Sequence, residues 1–253
     1  MKSKRLQFTG SLGFKLSALL DLPDEAKPTV YAIFAHCFTC NKNYKIFNSV
    51  NQALTNNNIA VLRFDFTGIG ASQGSFADTN FSSNVSDIIA AAEFLEINYE
   101  APQLLIGHSF GGAAAIHAAA RISSCTTLVT IAMPSNLNSV RNLMFSKKAE
   151  LQQKGEAIFE ISDRHIKIKK QFLDNIEQIN IKDAIANLNK PYLIIHSLAD
   201  EMVSIENAFQ ILSIANHPKN FISLEQADHL LSNNKHGEYV GNLIAIWAGQ
   251  YFE

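Results

Sequence analysis

PQLLIGHSFGGAAAIHAAA, residues 102–120, sets a single serine among glycines where an apolar run gives way to an alanine-rich one. Glycine in an element interior costs about 0.5–1 kcal/mol relative to alanine. Gly107, Gly111 and Gly112 around Ser109 therefore need a reason other than local stability. The run Gly107-His108-Ser109-Phe110-Gly111 matches G-x-S-x-G after a predicted strand, QLLIGHS, and before a predicted helix, FGGAAAIHAAARIS. Strand, sharp turn and helix are the context of a nucleophile elbow. In so tight a turn, a side chain two positions either side of the serine meets the neighbouring strand and helix. Gly107 and Gly111 avoid that collision, and Gly112 lets the helix pack close to the sheet. The turn then leaves Ser109 exposed at a helix N-terminus with an uncommon backbone conformation.

Outward from this elbow, short apolar runs alternate with longer segments of helical period, the signature of an α/β sheet with crossover helices. RLQFTG and FKLSALLDLP read as two opening strands, TVYAIFAH and IAVLRFD as strands around a helix at 43–57. NVSDIIAAAEFLEIN reads as a helix with Asn80 or Ser82 as its cap. TTLVTIAMP, PYLIIHSLAD and NFISLEQ are further strands, and GEYVGNLIAIWAGQYF is the closing helix. Between the sixth and seventh strands the composition changes. Residues 136–153 read as helical. Ala157, Phe159, Ile161, Ile166 and Ile168 then follow period two across the turn-like SDR, a small hairpin before a short helix at 170–180. We therefore expect a core of residues 1–135 and 183–253, with 136–182 as a lid over one end of the sheet, where ligands bind in such folds.

With 253 residues, 47% of them hydrophobic and 17% charged, the chain can bury a large core. Lys+Arg 21 against Asp+Glu 23 gives a net charge of −2, which removes the global argument for nucleic-acid binding. The basic start MKSKRLQFTGSLGFKLSALLDLP is interrupted by Gln7, Thr9, Gly10, Ser11, Gly13 and Lys15, so it lacks the apolar centre of a signal peptide. No apolar run is long enough to cross a bilayer. Three cysteines do not read as a disulfide framework. The expectation is a cytoplasmic protein with no stable membrane insertion.

A serine hydroxyl needs a base to become a nucleophile. The expected chain order is Ser, then Asp or Glu, then His. Of the eight histidines, His108 and His117 lie too near the serine along the chain, and His36 and His196 lie upstream in or at strand ends. His217 precedes the last strand, at the opposite end of the sheet. His229, in QADHLL, follows the last strand and precedes the last helix, with His236 the weaker choice. For the acid, Asp200 ends the strand PYLIIHSLAD. Glu201 points elsewhere, Asp228 adjoins the histidine too closely to reach its ring, and IAMPSNLN carries no carboxylate. The backbone N–H groups of Phe110 and of Phe38, in HCFTCNKN, are the expected donors to a developing oxyanion. His36 is expected to hold that loop's shape.

These residues resemble the α/β-hydrolase superfamily over nearly the whole chain. His36-Cys37-Phe38 looks like the family's oxyanion-loop motif, usually His-Gly-x, with cysteine in the glycine's place. DFTGIGASQG at 65–74 looks like the loop after the next strand; GHSFGG, LAD at 198–200 and ADH at 227–229 stand at elbow, acid and base. The nearest subgroup is the serine-aminopeptidase and lysophospholipase-like hydrolases. The resemblance implies a mostly parallel central sheet with helices on both faces. It also implies a serine hydrolase of esters, thioesters or amides, acting through an acyl-enzyme on a small-molecule acyl substrate with no metal or organic cofactor. The rival is a non-catalytic binding module on the same fold, a class that usually lacks one of the three residues.

Two motifs read as decoys. Gly68-Ile-Gly70-Ala-Ser-Gln-Gly74 is one residue too long for a dinucleotide fingerprint. Cys37-Phe-Thr-Cys40 has redox or zinc spacing, but no second ligand pair accompanies it. Two reduced, oxidation-sensitive thiols near the site are expected there. KIKK at 167–170 reads as a solvated hairpin face.

Overall fold

Strands buried on both faces read as mostly apolar runs, and five segments of this chain do. They are β3 (Val30–Ala35), β4 (Ile59–Phe64), β5 (Leu104–His108), β6 (Thr127–Ile131) and β9 (Tyr192–Ser197), buried from end to end. The computed structural model describes residues 1–161 and 164–252; Ser162 and Asp163, in the turn-like SDR, lie outside the described residues. With β1 (Lys2–Thr9), β2 (Lys15–Leu22) and β10 (Lys219–Leu224), these strands form one sheet in the order β1-β2-β4-β3-β5-β6-β9-β10. From β4 to β10 all neighbours are parallel, while β1 and β2 form an antiparallel hairpin that joins β4 antiparallel.

Alternation along the strands feeds two cores. Ile33 and Leu105 face one that includes Phe81 and Ile88 of α2 (Phe81–Asn98), Ile116 of α3 (Phe110–Ala119) and Ile211 of α8 (Glu206–Ile214). Ala32, Phe34, Leu104 and Ile106 face the other, with Phe47 and Val50 of α1 (Lys45–Asn56) and Ile244 of α9 (Asn234–Ala248). Helices thus cover both faces. Asn80 caps α2 in a capping box with Ser83, so that helix starts at Phe81, three residues before the apolar period becomes visible.

Between β6 and β9 lie α4 (Asn138–Phe145), α5 (Lys148–Lys154), the hairpin of β7 (Glu156–Ile161) and β8 (Arg164–Lys169), α6 (Lys170–Glu177) and α7 (Ile181–Ala186). The hairpin pairs Glu156 with Lys169 through Ile161 with Arg164, and buries Ala157, Phe159 and Ile168. The single helix expected at 136–153 is two, broken at Ser146 and Lys147, where Lys147 Nζ turns to the Ile158 carbonyl at 2.6 Å. The helix expected at 170–180 ends at Glu177, and α7 crosses the expected boundary at 182/183. Among the ties that fasten the insertion to the core, Lys169 pairs with Asp78, and Asn175 exchanges hydrogen bonds with Ser82 at 2.9 and 3.0 Å. Among the described residues no helix is long and apolar enough to cross a membrane.

Candidate active site

The elbow's geometry follows from its glycines. Ser109 sits at φ +52°, ψ −122°, between the last residue of β5 and the first of α3. Its N–H donates to the Ile131 carbonyl at 2.9 Å, and its own carbonyl accepts from Gly112 N–H at 2.9 Å. A non-glycine residue in this region persists only where its surroundings over-determine it. Those surroundings are backbone. A Cβ at Gly107 would stand 2.4 Å from Gly112 Cα, and one at Gly111 would stand 2.3 Å from the His36 carbonyl oxygen. Gly111 thus lets the elbow seat directly on the end of β3, where the loop His36–Cys40 begins. Gly111→Ala should destabilise the fold by roughly 1–3 kcal/mol through overpacking against backbone that cannot yield. Urea unfolding of that variant beside wild type checks this.

The strand order brings the remaining groups to the same edge. Asp200 follows β9 and His229 follows the neighbouring β10, both at C-terminal ends of parallel strands. His229 Nδ1 lies 2.8 Å from Asp200 Oδ2; both residues are buried, at 6% and 7% exposure. The other oxygen, Oδ1, accepts from the N–H groups of Met202 and Val203 at 2.9 and 2.8 Å. Burial by itself would raise the Asp200 pKa. The nearby His196 ring, with the hydrogen bonds from His229 and the Val203 N–H, outweighs it and holds the carboxyl well below the usual carboxylate range. An ionised Asp200 accepts the Nδ1 proton of His229 and leaves Nε2 as the basic ring nitrogen. His236 stands apart from this pair, at the start of α9.

Two further histidines hold the arrangement, and both looked unpromising in sequence. His108, next to the serine, directs Nε2 to the His229 carbonyl at 2.7 Å, tying the end of β5 to the loop after β10. His196 places Nε2 2.7 Å from the Val203 carbonyl and 3.5 Å from Asp200 Oδ2. The sequence signal for each was slight: a histidine inside an otherwise apolar strand.

On the other side of the elbow, His36 Nδ1 lies 2.8 Å from the Cys37 carbonyl, while Nε2 accepts from Phe66 N–H at 3.3 Å. Burial lowers the pKa of His36 to about 4 and that of His108 to about 3. Unfolded, each binds a proton near pH 6.5. Between that pH and the folded values the unfolded chain holds more protons, so stability falls as pH drops through this window. Asp200, depressed in the fold, adds to the loss below about pH 4. Thermal unfolding from pH 7 to 4 should show the falling midpoint, and His108→Gln, which keeps a donor, should flatten it.

The loop itself departs from expectation. Cys37 and Cys40 are not two reduced thiols; they form a disulfide, with Cα atoms 5.3 Å apart. The backbone turn that brings them together has Cys40 N–H donating to the Cys37 carbonyl at 3.1 Å. Between them Phe38 packs its ring on Phe110 at 5.0 Å and on Phe172 of α6 at 5.8 Å, and Arg164 of β8 donates Nη2–H to the Thr39 carbonyl at 2.6 Å. Among the described residues neither Phe38 N–H nor Phe110 N–H has a hydrogen-bond partner. The 68–74 loop opens no α-helix; a short 3-10 turn, Phe76–Asp78, follows it. No group of three or more His, Cys, Asp or Glu that could hold a metal ion occurs among the described residues.

Comparison with known proteins agrees with this architecture. The family model described as "Serine aminopeptidase, S33" matches residues 33–154. The esterase domain of a Rhodothermus marinus protein superposes with a TM-score of 0.81 at 42% identity, each chain covered completely. Est1E of Butyrivibrio proteoclasticus with ferulic acid bound shares the fold with a TM-score of 0.79 at 21% identity, over 97% of this chain and 99% of that one. The mouse mitochondrial palmitoyl-protein thioesterase ABHD10 is 27% identical over 177 residues, 67% of this chain; the match spans 59% of the mouse protein's length.

Proposed function

The chain belongs to the α/β-hydrolase superfamily, and on that premise we propose that it is a serine hydrolase of carboxylic esters or thioesters, with Ser109 as nucleophile. The observation that carries the reading is the 2.8 Å contact of His229 Nδ1 with a buried, ionised Asp200, at the sheet edge where Ser109 stands on its strained turn. In this reading His229 Nε2 takes the serine proton as Oγ attacks the carbonyl carbon. Asp200 holds the imidazole tautomer and offsets the charge of the imidazolium. The N–H groups of Phe38 and Phe110 receive the oxyanion, supported by their having no other partner among the described residues. His229 then protonates the leaving group and activates the water that releases the acid. His36 keeps the loop in shape. Gly107 and Gly111 keep the elbow closed.

The insertion 136–182 serves as the lid. Phe172 joins Phe38, Phe76 and Phe110 in one aromatic group beside the proposed oxyanion donors. Such a wall favours an apolar acyl chain or an aromatic acid over a sugar or a strongly charged group. Related proteins named as an esterase and as a palmitoyl-protein thioesterase support this class of small-molecule acyl substrate. A panel of p-nitrophenyl esters from acetate to decanoate, run beside the matching acyl thioesters, tests it. Turnover of esters and thioesters, with kcat/KM rising as the acyl chain gains apolar surface, is expected. No turnover of any member by folded protein would leave the fold as a binding scaffold.

A further inference from the structure

We propose that the Cys37–Cys40 disulfide is a thiol-exchange site for a dithiol reductant, and that opening it resets the loop that carries Phe38. The inference rests on the reading of Phe38 N–H as an oxyanion donor.

The bond closes a ring over only Phe38 and Thr39. A disulfide across so short a loop removes little freedom from the unfolded chain, so global stability is a poor account of it. What it constrains is the native shape of the two residues inside the ring. Thr39 lies at φ +59°, in the left-handed region, where a β-branched residue is strongly disfavoured. With the cross-link present that conformation is enforced. Without it, the loop keeps the packing of the Phe38 ring and three hydrogen bonds: Cys40 N–H to the Cys37 carbonyl, His36 to the same carbonyl, and Arg164 to the Thr39 carbonyl. The Phe38 N–H belongs to the Cys37–Phe38 peptide, and the cross-link fixes the Cys37 end of that peptide, so opening the bond frees the direction of this N–H.

The pair is also placed for selective exchange. Cys37 and Cys40 keep 8% and 6% of their surface exposed, against 1% for Cys125. Cys125 is further silenced because burial pushes its thiol up to about 11, where almost no thiolate forms at neutral pH. In the exchange a thiolate of the dithiol attacks one sulfur of the pair, forming a mixed disulfide as the Cys37–Cys40 S–S bond breaks and the other cysteine leaves as thiolate. The reductant's second thiolate then attacks its own bound sulfur, releasing the second cysteine and the cyclic oxidised dithiol. Two electrons pass to the protein, and two protons complete both thiols.

The test follows the full chain in buffers of defined oxidised-to-reduced dithiothreitol ratio. It reads iodoacetamide alkylation by peptide mass and p-nitrophenyl ester kinetics on the same samples. Oxidised protein should resist alkylation at both positions, and reduced protein should be alkylated at Cys37 and Cys40 but not at Cys125. Over the same transition kcat should fall by about a hundredfold or more, within the range of a lost oxyanion donor, with KM changed less than about twofold. Cys37→Ser/Cys40→Ser should match the reduced wild type at every ratio. Alkylation of both cysteines with kcat unchanged would overturn the proposal, as would a pair already alkylatable in air-oxidised protein. Fluorophosphonate labelling at Ser109 separates the two readings. Labelling in both redox states with unaltered kcat removes the switch alone, whereas no labelling in either state removes the hydrolase reading beneath it.

Discussion

Ser109→Ala is expected to lower kcat toward esters by about 10⁶-fold, the size of effect seen when a hydrolase's serine is removed from a working triad. The residual rate should still exceed that in water, because the proposed donors on Phe38 and Phe110 and the aromatic wall survive the change. KM should move little, since the hydroxyl reacts rather than binds. The variant also separates chemistry from folding. Alanine at φ +52° keeps the strain of the turn, whereas Ser109→Gly relieves it and should be more stable than Ser109→Ala by about 1 kcal/mol. Loss of turnover in both variants, with the glycine form the more stable, is the expected pattern. Steady-state kinetics and urea unfolding on the three proteins check it. Retained turnover in Ser109→Ala would move the nucleophile elsewhere.

Asp200→Asn is expected to cost about 10⁴-fold in kcat while leaving the fold intact, and the reason lies in the carboxylate's two oxygens. Oδ1 accepts from Met202 and Val203 N–H, so the amide oxygen of asparagine must occupy that place, where an NH₂ group would face two donors. The amide NH₂ then faces His229 Nδ1, which must give up its proton to accept the new hydrogen bond. The imidazole proton moves to Nε2, the atom required as base. The variant is therefore defective through the wrong tautomer rather than through lost packing. Its rate should recover at high pH less than a simple electrostatic loss would allow. Nitrogen chemical shifts of the His229 ring should report Nε2–H in the variant and Nδ1–H in wild type. A loss of less than about tenfold, with Nδ1–H retained, would reassign Asp200 to a structural role.

The elbow was legible in the sequence because backbone sterics write themselves into glycine spacing: the close approaches at Gly107 and Gly111 leave no other residue type. The central strands were legible because burial on both faces favours mostly apolar runs, and the hairpin of the insertion because period two survives in Ala157, Phe159 and Ile168. Polar partnerships were not legible. His108 and His229 are 121 residues apart, and a histidine beside the serine looks the same in sequence whether it faces solvent or carries a hydrogen bond across the sheet edge. The break at Ser146 and Lys147 depends on where the hairpin offers the Ile158 carbonyl, a tertiary event. C-x-x-C spacing is compatible with thiols or a disulfide alike, and only the folded turn shows that Cys37 and Cys40 lie within bonding reach.

The central claim is that Ser109 is an activated nucleophile. Intact-mass spectrometry after treatment with a fluorophosphonate, followed by peptide mapping, tests it most directly, on wild type, Ser109→Ala and His229→Ala. The account predicts one adduct per chain in wild type, mapped to Ser109, and none in either variant over the same time. An adduct that persists in Ser109→Ala, or a folded wild type that takes up no label, would contradict it.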